Sequence, residues 1–443
     1  MTGVGRRREG ADRGGDEAGC GCVIWAVLHQ ESGLFFLFFF CFEWILKNKN
    51  AQVEELRIEK CNSLNFIFRG NLPQSLKKLL RIECCEKLQC LLDDTCTSLS
   101  SSFLLPKENA NSHLEDLFIY SCPALTCLQA TDQISFTLTR LVIRDCSKLT
   151  TLSSTGQLPV ALKHLEIYNC SELTALLQKG LLPETLETLE IWGCGKLESI
   201  VEKFHNNKAF REIHTVSCYN LKSFPEGLHT LSSLHFLNIA FCNDFASFPK
   251  GGFPNSNFTL FIQGCEKLEA LPSEIQALSS LEIYDCPNMS LSEEGLPTKL
   301  SSLEITSLKQ YKALMQTGLH NFTSLTYLEI FGKPDGESLQ EEDMTITLPR
   351  TLTSLSIGKI PKLKYLPFKD FEDLPCLDCL RIDDCPDLTS LPSLPSSLLQ
   401  LYISGCPLLK EACKRDKGKE WFKIADIPKV EIDDKFIYDP EEE

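Results

Sequence analysis

The chain has 443 residues, 43% of them hydrophobic and 23% charged, with a formal net charge of -16. That is the composition of a folded protein, not of a disordered or collagen-like one. An acidic surface repels phosphate backbones, so nucleic acid is not an expected partner. Residues 1–50 differ in character from the remainder of the chain. Arg6, Arg7 and Arg8 precede an apolar run from Leu34 to Leu46, LFFLFFFCFEWIL. The run is shorter than a membrane span and Glu43 interrupts it, so membrane association is not expected. It has the length of a signal-peptide core behind a basic start, but no small-x-small cleavage site succeeds it. The other reading is a non-native or unstructured extension, and poor order is expected across residues 1–50.

From Val53 onward one phrase returns, L-x-x-L-x-I-x-x-C-x-x-L. It reads LEDLFIYSCPAL from Leu114, LTRLVIRDCSKL from Leu138, LKHLEIYNCSEL from Leu162 and LETLEIWGCGKL from Leu186. Cys122, Cys146, Cys170, Cys194, Cys218 and Cys242 succeed one another at steps of 24. Cys61 and Cys85 precede this series, and Cys265, Cys286, Cys385 and Cys406 continue it with small slips. Leu308, Lys333 and Ile360 hold the same place in weaker copies. The match is to the leucine-rich template of ~20–29 residues, in about fifteen copies.

In L-x-I, alternation along a strand puts Leu189 and Ile191 on one face and Glu190 and Trp192 on the other. One copy cannot bury its own apolar face, so the array is stable only as a stack. At the Cys place the chain leaves the strand. A small, nearly apolar side chain with a weak S–H donor suits the inside of that bend. Stacked cysteines lie near enough for disulfides or metal, but one per repeat points to packing, with free thiols in a reducing compartment. Leu158-Pro159, Leu182-Pro183, Leu296-Pro297, Leu348-Pro349 and Leu394-Pro395 mark irregular returns, because proline cannot donate to a ladder. Short helical turns are expected near Pro225–Leu228 and Ser273–Gln276. Two interruptions, 93–112 and 333–343, have the look of inserted loops.

The expected fold is therefore an α/β repeat solenoid. It is a curved array with a parallel β-sheet on the concave face and irregular or short helical convex segments. The expected organisation is an extension at 1–50, repeats at 51–410, and a C-terminal cap and acidic tail at 411–443.

The place after the Ile forms a column on the concave face: Tyr120, Arg144, Tyr168, Trp192, and further on Tyr284 and Phe331. His164 and Glu190 flank it. Aromatic side chains with a polar handle are common binding anchors, so these eight residues are the expected partner-binding set, centred on Tyr120 to Trp192. Packing between exposed strand aromatics is the competing account of the same stripe.

The Cys-bearing repeats, the Leu-Pro returns and the closing phrase CPLLKEACKRDKGKEWFKIADIPKVEID (406–433) resemble the repeat region of plant intracellular immune receptors. These are the coiled-coil-class nucleotide-binding leucine-rich-repeat disease-resistance proteins. The resemblance spans roughly 51–433. It implies a cytoplasmic protein-binding domain that senses pathogen effectors or guarded host proteins and restrains a nucleotide-binding switch. The switch itself is not expected here: Gly193-Cys194-Gly195-Lys196-Leu197 lacks the spacing and hydroxyl of a phosphate loop. The chain thus reads as a partial member, with no ATP or other cofactor implied.

No G-x-S-x-G elbow or H-E-x-x-H motif is present, and Cys376-Leu377-Asp378-Cys379 has no second ligand pair. No enzyme is expected and no metal. A substrate-recognition repeat domain of a ubiquitin-ligase adaptor is the alternative, although no ligase-docking domain is visible.

Overall fold

The computed structural model describes residues 23–30, 33–36, 53–69, 76–93, 114–128, 137–153, 156–272, 275, 277–291, 297, 299–307, 318–333 and 346–437. Nineteen strands make one sheet. β1 (Val23–Gln30) and β2 (Gly33–Phe36) form a hairpin at its start. The repeats supply β3 (Val53–Glu59), β4 (Leu79–Glu83), β5 (Asp116–Tyr120), β6 (Arg140–Arg144), β7 (His164–Tyr168) and β8 (Thr188–Trp192). They continue with β9 (Glu212–Val216), β10 (Phe236–Ala240), β11 (Phe258–Gln263), β12 (Leu278–Tyr284), β13 (Ser302–Ile305) and β14 (Tyr327–Phe331). Last come β15 (Ser354–Gly358), β16 (Cys379–Asp383) and β17 (Gln400–Ser404), and then β18 (Lys429–Ile432) and β19 (Lys435–Phe436) in the closing segment.

β3 to β18 run parallel, each paired with the next, and the pairing is in register at the Leu and Ile places, with one shift at the start of β11 between Phe258 and Thr259. Leu165 faces Leu189 and Ile167 faces Ile191 across β7 and β8, and the same two places meet at every later step. The side chains at the inward Leu and Ile places are buried from repeat to repeat in one continuous core, with Ile213 and Thr215 holding them on β9. Each such side chain contributes about 1.5–3 kcal/mol when fully buried. That stabilisation exists only between neighbours, because the partner surface belongs to the next copy.

Two devices turn the chain out of most of the repeat strands. The residue before the Cys takes the left-handed conformation: Asp145, Asn169, Gly193, Ser217, Phe241, Gly264, Asp285 and Asp384 all have φ between 49° and 68°. In that pose its N–H reaches the next repeat, as in Asn169 N–H to Trp192 O at 2.8 Å and Gly193 N–H to Val216 O at 2.8 Å. The Cys then folds under the bend and its S–H points back to the carbonyl two residues earlier. Cys146 meets Arg144 O at 3.4 Å, and Cys242 meets Ala240 O at 3.5 Å. The thiols from Cys85 to Cys406 in this ladder are free and buried, whereas Cys61 is disulfide-bonded. Of the weaker copies, Ile360 is buried at the Cys place and Lys333 is exposed; Leu308 lies outside the described residues.

The returns are irregular. In each Leu-Pro phrase the Pro carbonyl accepts the N–H three residues on, closing a turn just before the next strand; Pro159 O to Leu162 N–H is 3.1 Å. A short 3-10 helix at Leu228–Thr230 comes just after Pro225, with further ones at Leu319–Asn321 and Phe371–Asp373. Ser273, Glu274 and Gln276, and most of both interruptions, lie outside the described residues.

Both ends of the sheet are covered. Residues 1–50 carry an expectation of poor order, yet β1 lies antiparallel on β3. The physical reason is the open edge of β3, whose backbone donors and acceptors the β-forming segment Val23–Gln30 satisfies. At the other end α1 (Pro407–Ala412) and α2 (Trp421–Ile424) lead into β18, which pairs with β17. Glu420 is buried there, accepting the Leu391 N–H at 3.1 Å and pairing with Lys423 at 2.6 Å. The cap thus begins at 407, four residues ahead of the expected boundary, because the helix starts directly after Cys406.

Gly193 tests the left-handed turn. At φ +68° an added Cβ would stand 2.4 Å from Asn169 Oδ1. Gly193→Ala is expected to lower stability by about 1–2 kcal/mol, read from urea unfolding monitored by circular dichroism. An unchanged midpoint would mean the turn tolerates a right-handed pose.

Candidate functional site

The sheet offers three outward places per strand: before the Leu, between the Leu and Ile, and after the Ile. On β5 to β8 they hold a connected patch. Glu166, 7% exposed, sits at its centre. Arg140 donates to Glu166 Oε1 from Nη2 at 2.6 Å and Nε at 3.0 Å, and Arg144 Nη2 stands 3.6 Å from Oε2. Tyr168 donates its hydroxyl to Glu190 Oε2 at 2.6 Å, with Glu166 Oε2 at 3.3 Å. Burial, then the Glu190 hydrogen bond, pushes the Tyr168 phenol well above its ordinary range, so it stays a donor at any physiological pH.

Cations stack on the aromatic faces. The Arg144 guanidinium lies 4.1 Å from the Tyr168 ring centre and 5.7 Å from that of Tyr120; Arg81 lies 5.0 Å from Tyr120 on the other side. Tyr168 and Trp192 are neighbours across β7 and β8, their ring centres 6.3 Å apart. His164 Nδ1 is 2.7 Å from Thr188 Oγ1. Trp192 is 39% exposed, an unusual exposure for so large an apolar ring, while its neighbours hold it in place. Six of the eight expected residues, Tyr120, Arg144, His164, Tyr168, Glu190 and Trp192, are therefore brought together.

Tyr284 and Phe331 are not part of that patch. β9, β10 and β11 intervene, a distance of roughly 19 Å at ~4.8 Å per strand, and they present His214, Phe236, Asn238 and Phe261. The single stripe expected from the column is thus two groups. In the second group Tyr284 donates to Glu304, Tyr327 donates to Glu329 at 2.8 Å, and Lys359 Nζ lies 5.5 Å from the Phe331 ring centre.

The column after the Ile shows only part of either group. Glu166, Glu282, Glu304 and Glu329 stand at the place between Leu and Ile, which the same alternation makes outward. Burial, with Glu304 and Glu329 adding like charge, pushes the Glu282 carboxyl up to about 7. Tyr284 shares its strand, and the preceding strand β11, FTLFIQ, has no ionisable side chain to offset it. Burial also raises Glu329.

The in-register stack of L-x-I copies, most of them closed by a Cys turn, decides the class. This chain is a leucine-rich-repeat solenoid. No family model matches it. Over 190 residues it is 30% identical to a candidate disease resistance protein of Arabidopsis thaliana. The match covers 41% of this chain and 13% of that protein, so the solenoid resembles a fraction of the plant protein's length. Among solved structures it is similar to a leucine-rich repeat protein from Bacteroides ovatus, at 14% identity and a TM-score of 0.22, over 87% of this chain and 96% of that one. A leucine-rich repeat protein of Leptospira interrogans is 16% identical with a TM-score of 0.24, over 89% and 97% of the two chains.

Among the described residues no group of three His, Cys, Asp or Glu side chains is placed to hold a metal ion, and no helix is long and apolar enough to cross a membrane. What the solenoid's face can do chemically is present fixed aromatic surface and charge.

Glu282 gives a pH test of that charge. Its carboxyl ionises near 4.5 when free and near 7 in the fold. Across that window the unfolded chain has lost the proton and the folded one keeps it, so stability falls as pH rises. Glu282→Gln removes this loss. Its melting temperature is expected to exceed the parent's by about 1–2 °C at pH 8, and the gap should close towards pH 4.5. A gap that is constant with pH would rule out this role for Glu282.

Proposed function

We propose that the solenoid is a protein-binding module of a plant disease-resistance-like protein, sensing pathogen effectors or guarded host proteins in defence, with no catalysis of its own. The observation that carries this reading is the Tyr168–Trp192 platform. A binding anchor needs large apolar area with little rotamer freedom left to lose. Trp192 is exposed, yet the Tyr168 ring lies tilted against it, and Tyr168 is itself fixed by Glu190 and by Arg144. The likeness to the Arabidopsis protein supports the defence setting. In longer relatives of this kind, the nucleotide-binding domain would be a second partner of the repeats. The free, closely stacked thiols from Cys85 to Cys406 favour a cytoplasmic setting, where thiols remain reduced, whereas the disulfide at Cys61 counts against it.

The test is affinity capture from plant tissue challenged with a pathogen, using the parent and the Tyr168→Ala/Trp192→Ala double variant. The double variant should recover its protein partner about tenfold less well or worse, as hot-spot loss implies. Its melting curve should match the parent's, because neither residue belongs to the inward Leu/Ile core. Undiminished recovery would sink the reading.

A further inference from the structure

The in-register pairing of β12 to β15 sets Glu282, Glu304, Glu329 and Ser356 side by side at the place between Leu and Ile. Tyr284 and Tyr327 donate hydrogen bonds to Glu304 and Glu329, but a phenol brings no positive charge. Glu282 has no hydrogen-bond partner among the described residues. Of the nearby cations, Lys333 pairs with Asp285 at 2.9 Å and the Arg381 guanidinium lies 4.6 Å from the Tyr402 ring centre, while Lys359 lies over Phe331 and its charge offsets only part of the rise at Glu329.

Ser356 adds an observation of a different kind. It is 3% exposed, and its Oγ has no hydrogen-bond partner. Buried hydroxyls are nearly always paired, so Ser356 Oγ is an acceptor that lacks a donor on the same side of the sheet as three crowded carboxylates. The three carboxylates do not converge as metal ligands do. They are spread along successive strands, which suits a donor that is itself extended and planar. A guanidinium offers five N–H groups in a fixed fork, and a single ion or ammonium offers less reach.

We propose that this column receives an arginine-bearing segment of a protein partner, its guanidinium donating to the Glu304 and Glu329 carboxylates and to Ser356 Oγ, with Glu282 completing the charge. This rests on the protein-binding reading of the same face and adds the chemistry of the partner at its second group. The in-register frame makes it possible: only because β13, β14 and β15 pair without a slip do the acceptors form one row.

The test is fluorescence anisotropy on the full chain with a short labelled peptide of alternating Arg and Gly, against the same peptide with Glu for Arg. Saturable binding of the Arg peptide only is expected. The E282Q/E304Q/E329Q variant should weaken it by about tenfold or more, the size of a lost charge-assisted contact. A control with the same net charge, E184Q/E198Q/E202Q, removes three exposed carboxylates off the sheet face and should leave affinity within about twofold. Ser356→Ala should weaken binding about threefold without lowering the melting temperature, since it deletes an unpaired hydroxyl. Equal loss in the two glutamine variants, no binding by the parent, or equal binding of the Glu peptide would overturn the proposal. The Tyr168/Trp192 capture experiment uses other residues and another probe, so either reading can fail alone.

Discussion

Everything in this chain depends on lateral burial between copies. A strand of five residues has two inward side chains, and two are too few to close a core. The next strand supplies the missing surface, and that holds for every step from β3 to β17. A stack of this kind has two ends that cannot be satisfied from within. The structure meets that need with a hairpin on β3 and a helix-and-strand closure on β17. Those caps are as necessary to the stack as the repeats, because an open edge exposes a row of unpaired backbone groups and one apolar layer.

The same burial explains the turn. If successive copies must meet in register, the chain has to leave every strand at one level. A left-handed residue and a thiol tucked beneath it do this with backbone geometry and one weak hydrogen bond. The place accepts Gly, Asn and Asp readily, since these visit left-handed backbone at low cost. It also holds Phe241, Lys60 and Lys359, for which the pose is strained. The fold imposes the conformation on those three residues, so stacking outweighs local preference.

How much of this was legible in the sequence differs from place to place. The L-x-I phrase and the spaced cysteines give the sheet, its direction and its core, since burial repeats at each copy and leaves a periodic trace. The left-handed residue leaves a weaker trace, because Phe241 and Lys60 break the pattern that Asn169, Gly193 and Gly264 suggest. The pairing of β1 with β3 leaves none, because strand addition to an edge asks only for a β-forming segment. The outward face was legible in part. Tyr168 and Trp192 stand out in a column read down one place. Glu166, Glu304 and Glu329 do not, since their roles come from adjacent columns whose side chains reach across strands. Tyr284 and Phe331 form a group apart from Trp192 because the intervening β9 to β11 carry no aromatic residue after the Ile place.

The frame also explains why aromatic and charged side chains gather on this face. Inward places are held mostly to Leu, Ile and Cys by burial, with Thr215 on β9 and Val430 on β18 among the departures, whereas the outward places take apolar, polar and charged side chains alike. Register, however, stacks whatever they take. Where neighbouring copies differ in sign, as with Arg140 against Glu166, the stack neutralises itself and becomes a rigid support for Tyr168. Where they agree, as with Glu282, Glu304 and Glu329, the repulsion cannot be relieved by moving a strand, because the Leu and Ile beneath hold it. Such crowding is relieved by a proton or by a cation from outside. A fold that fixes its backbone by burial thus turns the free choice at its outward places into a fixed pattern of charge.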